Sequence, residues 1–326
     1  MRVGGICRVI AAALSLLCFA GAAAADDYPS RPITLIVPFP PGGSTNIVMR
    51  IIAEKLSVLL GQQVVVDNRA GAGGTAGTRA LAKSTADGYT IGLGYSGPLG
   101  IAPSLYSDLG YDPRKDFAPI GRVATAPNSL VVHPSFQPKS IAELIAYAKA
   151  HPGKVNFGSA GIGTVSHLAG EYFASRAGIK LVHIPYRGAA PAVNDLAGGH
   201  VDTMFCDLGT ILPLHQGGRV RIIATATLDR LSQIRTVPTI DESGVKGFSS
   251  STFFSLMAPP RTPAEIRTKL NKAIVTAMQT PEAQAKLKTI FVEASKLDTK
   301  EVGEFIKAEA KLWGDVIRAA NITVEQ

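Results

Sequence analysis

Three short stretches hold the residue types that could do chemistry in this chain, and each offers a surface for an anion. Residues 38–46 read Pro-Phe-Pro-Pro-Gly-Gly-Ser-Thr-Asn. Gly42 and Gly43 let backbone N–H groups face outward, and Ser44, Thr45 and Asn46 open a segment with helical apolar spacing. A helix N-terminus carries partial positive charge and unpaired N–H donors, so this run with Phe39 and Pro41 forms a candidate anion cradle. An ordinary tight turn has the same composition. Residues 158–164 repeat the chemistry, with Ser159, Ala160, Gly163 and Thr164 ahead of a second helical segment. Residues 185–190 add a guanidinium, in the order Tyr186, Arg187, Gly188, Ala189. Tyr95 and Ser96, His167 one turn into the helix after the second stretch, and Asp207 just past a strand complete the candidate set. Asp207 either reaches the shared site or caps the helix that follows it.

Catalytic patterns fail by spacing. Gly71, Gly73 and Gly74 loosely match a dinucleotide fingerprint, but they sit beyond their strand and lack a suitable acid downstream. Ser159 has Gly161 two residues on and Phe157 two residues before, so it is not a nucleophile elbow. No Walker A sequence occurs. The six His, at 133, 151, 167, 183, 200 and 215, form no metal-ligand pair, and no zinc spacing of Cys exists. Neither a metal nor a cofactor is expected.

The elements that must position these stretches alternate. Ile33 to Val37 is a short β run; Val48, Ile51, Ile52, Leu56 and Leu59 then recur at helical spacing until Gly61. Strands follow at 64–66 and 89–93, with a short helix between them. The middle of the chain repeats this logic, with strands at 130–132, 155–157, 180–184, 201–205 and 221–225. Ser140, with Glu143 three residues on, caps one of its helices. The tail is helical over 263–278, 281–290 and 299–319, with Pro263 and Pro281 at helix starts. Strand–helix alternation means parallel sheets with right-handed crossovers. A second α/β unit inserted into a first, crossed near 122–125 and 224–227, fits the pattern. All three stretches then lie at carboxyl ends of strands, where ligands of open α/β sheets bind.

The N-terminus reads as an export signal. Arg2 and Arg8 precede 17 uncharged residues ending in four alanines before Asp26-Asp27. Leu16-Leu17 before Cys18 argues against lipidation. Cleavage after Ala25 removes two Arg and no acid, so the net charge falls from +8 to +6, and Cys206 becomes the only cysteine. With 46% hydrophobic residues in 326, the chain fills a core and is not disordered. Aromatics at 6%, unclustered with Lys or Arg, argue against a base-stacking nucleic-acid surface.

At the three stretches the sequence resembles the Bug-type periplasmic solute receptors of tripartite tricarboxylate transporters. The likeness is carried by residues 28–43, 66–74, 87–90, 111–119, 157–161, 183–188, 237–240 and 258–260, in order along the mature chain. It implies a type II periplasmic-binding-protein fold: two α/β domains joined by two crossing segments, with the ligand cleft between them. On that reading residues 1–25 are the signal peptide, 26–124 with 226–326 one discontinuous domain, and 125–225 the other. It also implies a periplasmic monomer that is no enzyme. Such a receptor holds a small carboxylate at the loops 39–46 and 186–189 and delivers it to the transporter's membrane subunits. A di- or tricarboxylate or aromatic acid is favoured. The family usually has Asp where this chain has Asn46, which implies a preference for acids without an amino group. A secreted α/β enzyme using the same cleft, and a receptor signalling to a periplasmic sensor domain, are the alternatives.

Overall fold

The computed structural model describes residues 28–295 and 299–323. The expected signal peptide lies outside the described residues. The first half begins with three parallel strands, β1 (Ile33–Val37), β2 (Val64–Asn68) and β3 (Thr90–Tyr95), in the order β2-β1-β3. They are joined by α1 (Ser44–Leu60) and α2 (Thr75–Ala82). β1 is a near-continuous apolar run because helices cover both its faces. Val48, Ile52 and Leu56 of α1 pack on Leu35 and Val37, and Gly61 ends the helix in the left-handed conformation at φ 67°. A π-helical turn, Ser96–Ile101, and the short α3 (Ala102–Leu105) follow β3.

The strand β4 (Ala118–Val132) then runs for 15 residues through both halves. Its first part pairs antiparallel with β9 (Ser251–Ala258), and β9 pairs in turn with β3. Its last part, from Asn128 to Val132, pairs with β7 (Thr203–Asp207) and, on the other side, with β8 (Arg221–Thr225). The second half adds α4 (Ile141–Ala150), β5 (Asn156–Ser159), α5 (Val165–Ala177), β6 (Val182–Pro185), α6 (Ala189–Ala197) and α7 (Leu208–Gln216). β5 lies parallel between β7 and β6. The tail returns to the first half as α8 (Ala264–Gln279), α9 (Pro281–Thr289), the short β10 (Glu293–Ala294) on β4, and α10 (Thr299–Ala319). The result is the α/β architecture that the alternation implied, but the sheet is mixed and not wholly parallel, because β4 and β9 cross between the halves antiparallel to their neighbours.

Each half has its own core. Leu270 and Ile274 of α8 close the first over β1 and α1. In the second, Leu130, Phe173 and Phe205 pack with Ile240, Val245 and Phe248. Residues 226–250 therefore pack on the second half, and the chain returns to the first at 250–251, well after 224–227. Asn128 and Ser250 sit side by side there: Ala226 N donates to Asn128 O at 2.8 Å, Ser250 N to Ala226 O at 2.9 Å, and Asn128 N to Ser250 O at 3.3 Å. Trp313 and Val316 of α10 pack with Ile101 and with Val165 and Leu168 of α5, a small apolar cluster that bridges the halves.

Candidate functional site

Four helices end on one small cavity. Gly43, Ser44 and Thr45 bring the start of α1 to it, Ala160 and Ser166 that of α5, Ala189 that of α6, and Asp207 and Thr210 that of α7. Its volume is about 40 Å³, room for one small polar group. Phe39, Tyr95, Asn128 and Thr252 supply the remaining walls that matter here. None of the four helices has a side-chain cap or an acid in its first turn. The first N–H groups of a helix have no intrahelical acceptor, so the cavity is a focus of positive partial charge and free donor capacity.

Asp207 closes the floor. Its Oδ1 accepts from Asn128 Nδ2 at 3.0 Å and from Thr252 Oγ1 at 2.7 Å, and its Oδ2 accepts from the Ser44 hydroxyl. The carboxylate from β7 is thus held by the start of α1 and by both strands that cross between the halves. Burial raises its pKa, and the three hydrogen bonds oppose that rise. Asp207 occupies the cap position of α7 without capping it; it reaches the cleft instead. Asn128 and Thr252 are site residues that the sequence did not signal, because each is a lone polar residue within a strand.

The two halves meet closely around this cavity. A Cβ on Gly73, at φ +62°, would lie 2.2 Å from Ile162 O, and one on Gly188, at φ +122°, 2.7 Å from Pro40 Cγ. Only glycine allows both the backbone conformation and the approach. The glycine run that failed as a dinucleotide motif is therefore one lip of the cleft. Outside the lips lies a wider mouth of about 670 Å³ lined by Phe39, Gly73, Gly74, Tyr186, Arg187 and Gly188 among others. Arg187 is exposed there. The Tyr186 hydroxyl donates to Asp195 Oδ2 at 2.7 Å, and burial followed by that contact raises its pKa to about 12.

Other expected residues fall off the cavity. Asn46 is buried, donates to Asn68 Oδ1 at 3.2 Å and accepts from Arg50 Nε at 3.1 Å, and does not line either space. Pro41 and Gly42 are exposed, although Gly42 faces Ala190 across the cleft. Ser96 accepts from Phe253 N at 3.0 Å behind the site. Gly163 sits at φ +76° beneath Tyr106, and its N–H meets His167 Nδ1 at 3.3 Å. Thr164 donates to Gly161 O at 2.6 Å, within its own loop. Ser159 Oγ lies 2.6 Å from His183 Nε2 and accepts from Gly161 N at 3.1 Å. His167 stacks on His183 with ring centroids 4.0 Å apart. Burial, and for His167 the neighbouring ring, lowers their pKa values to about 3 for His167 and about 4 for His183. The Ser159–His183 pair shores up the β5–α5 loop from beneath and does not reach the cavity.

Among the described residues no cluster of three His, Cys, Asp or Glu could hold a metal ion. Among them, too, no helix is long and apolar enough to cross a membrane.

A family model described as the tripartite tricarboxylate transporter family receptor matches residues 48–322. The chain is 39% identical over 322 residues to BugT of Bordetella pertussis, covering 98% of each chain. Among solved structures it is similar to R. palustris Rpa4515 with adipate, with a TM-score of 0.88 and 36% identity over 91% of this chain and 99% of that one. MatC from Rhodopseudomonas palustris with bound malate follows at a TM-score of 0.86 and 30% identity, over 89% and 100%. Both the loops that carried the resemblance and the fold that frames them are thus accounted for: the chain belongs to the tripartite tricarboxylate transporter receptor family, as a Bug-type member.

Proposed function

We propose that this chain is a periplasmic receptor that takes a small dicarboxylate in the cleft between its halves and hands it to the membrane subunits of a tripartite transporter. The observation that supports the carboxylate is the convergence of four uncapped helix N-termini on one cavity. One carboxylate group fits the inner cavity, and the rest of the molecule runs outward to the mouth and Arg187. Rpa4515 and MatC are named for complexes with adipate and malate, both dicarboxylates, which favours that class here.

The energetics are sufficient. Each partly buried N-terminus contributes up to about 2 kcal/mol toward an anion, and each hydrogen bond to a charged group about 1.5–3 kcal/mol. A few of these reach the roughly 8 kcal/mol of micromolar binding. On this reading the halves, divided at 127–128 and 250–251, are domains that hinge on the paired crossing strands. Ligand groups on both sides are satisfied together only when the cleft is shut. The receptor acts as a monomer and leaves its ligand chemically unchanged.

Thermal shift and calorimetry with adipate, malate and matched monocarboxylates test this. A saturable stabilisation by the diacids, with the acid recovered intact, is expected. No stabilisation by any carboxylate overturns the reading, and consumption of the acid beyond one equivalent replaces it with an enzymatic one.

A further inference from the structure

Asp207 presents the cleft with a problem that its own hydrogen bonds solve. It is the only carboxylate among the residues lining the inner cavity, and no Lys, Arg or His lines that cavity with it. The groups that face it are Ser44 and Thr45 of α1, Tyr95 of β3, Asn128 of β4, Thr252 of β9, and Cys206 beside it. Tyr95 and Cys206 are the titratable ones, and burial followed by the Asp207 charge holds both in their neutral forms. An anion seated at the four N-termini therefore meets a second anion with no cation between them. Like charges sharing one enclosed site cannot both stay ionised cheaply.

The bonding of the two oxygens shows where a proton can go. Oδ1 takes both fixed donors, the Asn128 amide and the Thr252 hydroxyl, whereas Oδ2 meets only the Ser44 hydroxyl. A serine hydroxyl both donates and accepts. When Oδ2 gains a proton the contact with Ser44 reverses, and no hydrogen bond in the network is lost. Burial already favours the protonated acid at this position.

We propose that Asp207 is the proton acceptor of the ligand site, so that a carboxylate enters the inner cavity together with a proton taken from solvent onto Asp207 Oδ2. The balance is one carboxylate and one solvent proton giving one carboxylic acid, with no other bond made or broken. This rests on the carboxylate reading above and adds the regulation of that site: affinity tightens as pH falls, by at most about tenfold per pH unit for one proton.

Calorimetry of adipate binding near pH 6.5, in buffers of different ionisation enthalpy, counts the protons exchanged. The native protein is expected to take up a fraction of a proton. Asp207→Asn, which keeps an acceptor for Asn128 and Thr252 and a donor for Ser44, is expected to take up none beyond adipate's own contribution. It should also bind adipate more tightly near pH 7.5, with a flat pH dependence. Equal proton uptake in the two proteins overturns the proposal while leaving the carboxylate reading intact. A check without ligand separates the two further. The carboxyl carbon of Asp207, assigned by its loss in Asp207→Asn, is expected to titrate above the ordinary aspartate value of about 4. An ordinary midpoint overturns the proposal even if neither adipate nor malate binds.

Discussion

Two helices remote from the inner cavity, α4 and α9, begin differently from the four that converge on it. α4 starts with Ser140, whose hydroxyl accepts from Glu143 N at 3.3 Å, and α9 with Thr280, which accepts from Ala283 N at 3.3 Å. Each also carries an acid in its first turn, Glu143 or Glu282. α1, α5, α6 and α7 have neither device. α4 and α9 thus satisfy part of their own orphan donors and dipoles, whereas α2 shares the bare start of the inner four and α8 has a first-turn acid, Glu265, but no side-chain cap. The inner four have neither partner, and on the proposed carboxylate reading their donors and dipoles are left for the ligand. On that reading, what marks the anion site is the convergence of four such starts on one cavity, and each is written in the types of a few first-turn residues.

The sharpest way to break that contrast is to give an inner helix the acid it lacks. Thr45 lies in the first turn of α1 and lines the cavity. Thr45→Asp supplies a resident carboxylate about the size of the threonine. Two charges about 5 Å apart at an effective dielectric of about 20 repel by roughly 3 kcal/mol. We expect the dissociation constant for adipate to rise by about a hundredfold, and, because the new carboxylate also faces Asp207 in the same cavity, native stability to fall at neutral pH and to recover as pH drops. Calorimetry and urea unfolding read the two separately. Unchanged affinity would show that α1 does not face the ligand.

α5 sharpens the comparison because its first turn holds a base. His167 and its stacked neighbour His183 are kept neutral well below the ordinary imidazole range, with pKa values of about 3 and about 4. An unfolded histidine binds a proton near pH 6.5. Between about pH 6.5 and 4 the unfolded chain thus holds more protons than the native one. Native stability is full above that window and falls as pH drops through it, by up to about 1.4 kcal/mol per unit for each proton. Asp207 works in the other direction, since its raised pKa lets the native state hold the extra proton. We expect unfolding midpoints to fall from pH 6.5 to pH 4 less steeply in His183→Phe than in the native chain, and more steeply in Asp207→Asn. Phenylalanine keeps the stacks on Phe157 and His167. Parallel curves for all three proteins would remove both groups from the account.

The outer helices supply the converse test. Ser140→Ala removes the cap of α4, far from the cavity, at a cost of about 1 kcal/mol. Stability by urea unfolding should drop by that amount, with adipate affinity unchanged. A loss of affinity would mean that capping on the outside is coupled to the cleft.

How much of this was legible follows from where each determinant lies. The three cradle loops were visible because glycines and hydroxyls stand directly after apolar strands, a signal contained within a few residues. β1, the capped start of α4 and the three tail helices were visible for the same reason. The lip at Gly73 was not, because what demands glycine there is the carbonyl of Ile162, in the other half of the molecule. Asn128 and Thr252 were hidden for a like cause: a polar residue in a strand acquires its role from Asp207, which reaches it only through the tertiary fold. The return at 250–251 was misplaced because Ile240, Val245 and Phe248 show no periodicity that names the core they fill.

Asn46 gives the smallest expected effect and tests whether lying in a first turn is enough. It belongs to α1, as Thr45 does, yet its side chain turns to β2 and to its own helix. Its carbonyl accepts from Arg50, which fixes its amide toward Asn68 Oδ1. Asn68 cannot turn to meet a carboxylate, because its own amide donates to Phe39 O at 2.7 Å. Asn46→Asp therefore strengthens the contact with Arg50 by making it an ion pair, and places two acceptors against each other at Asn68. The first gain is about 0.3–0.5 kcal/mol for such an i,i+4 pair, and the second loss about 1 kcal/mol, so a net destabilisation of well under 1 kcal/mol is expected. The ligand sees little of this, because the new charge is off the cavity and neutralised by Arg50. Adipate affinity should change by less than about twofold, and the preference between adipate and an amino diacid such as glutamate should stay as it was. A selective loss of adipate would instead make Asn46 the residue that excludes amino acids. The position of the charge relative to the cavity, more than its place in the helix, would then be the wrong measure of what an inner helix offers its ligand.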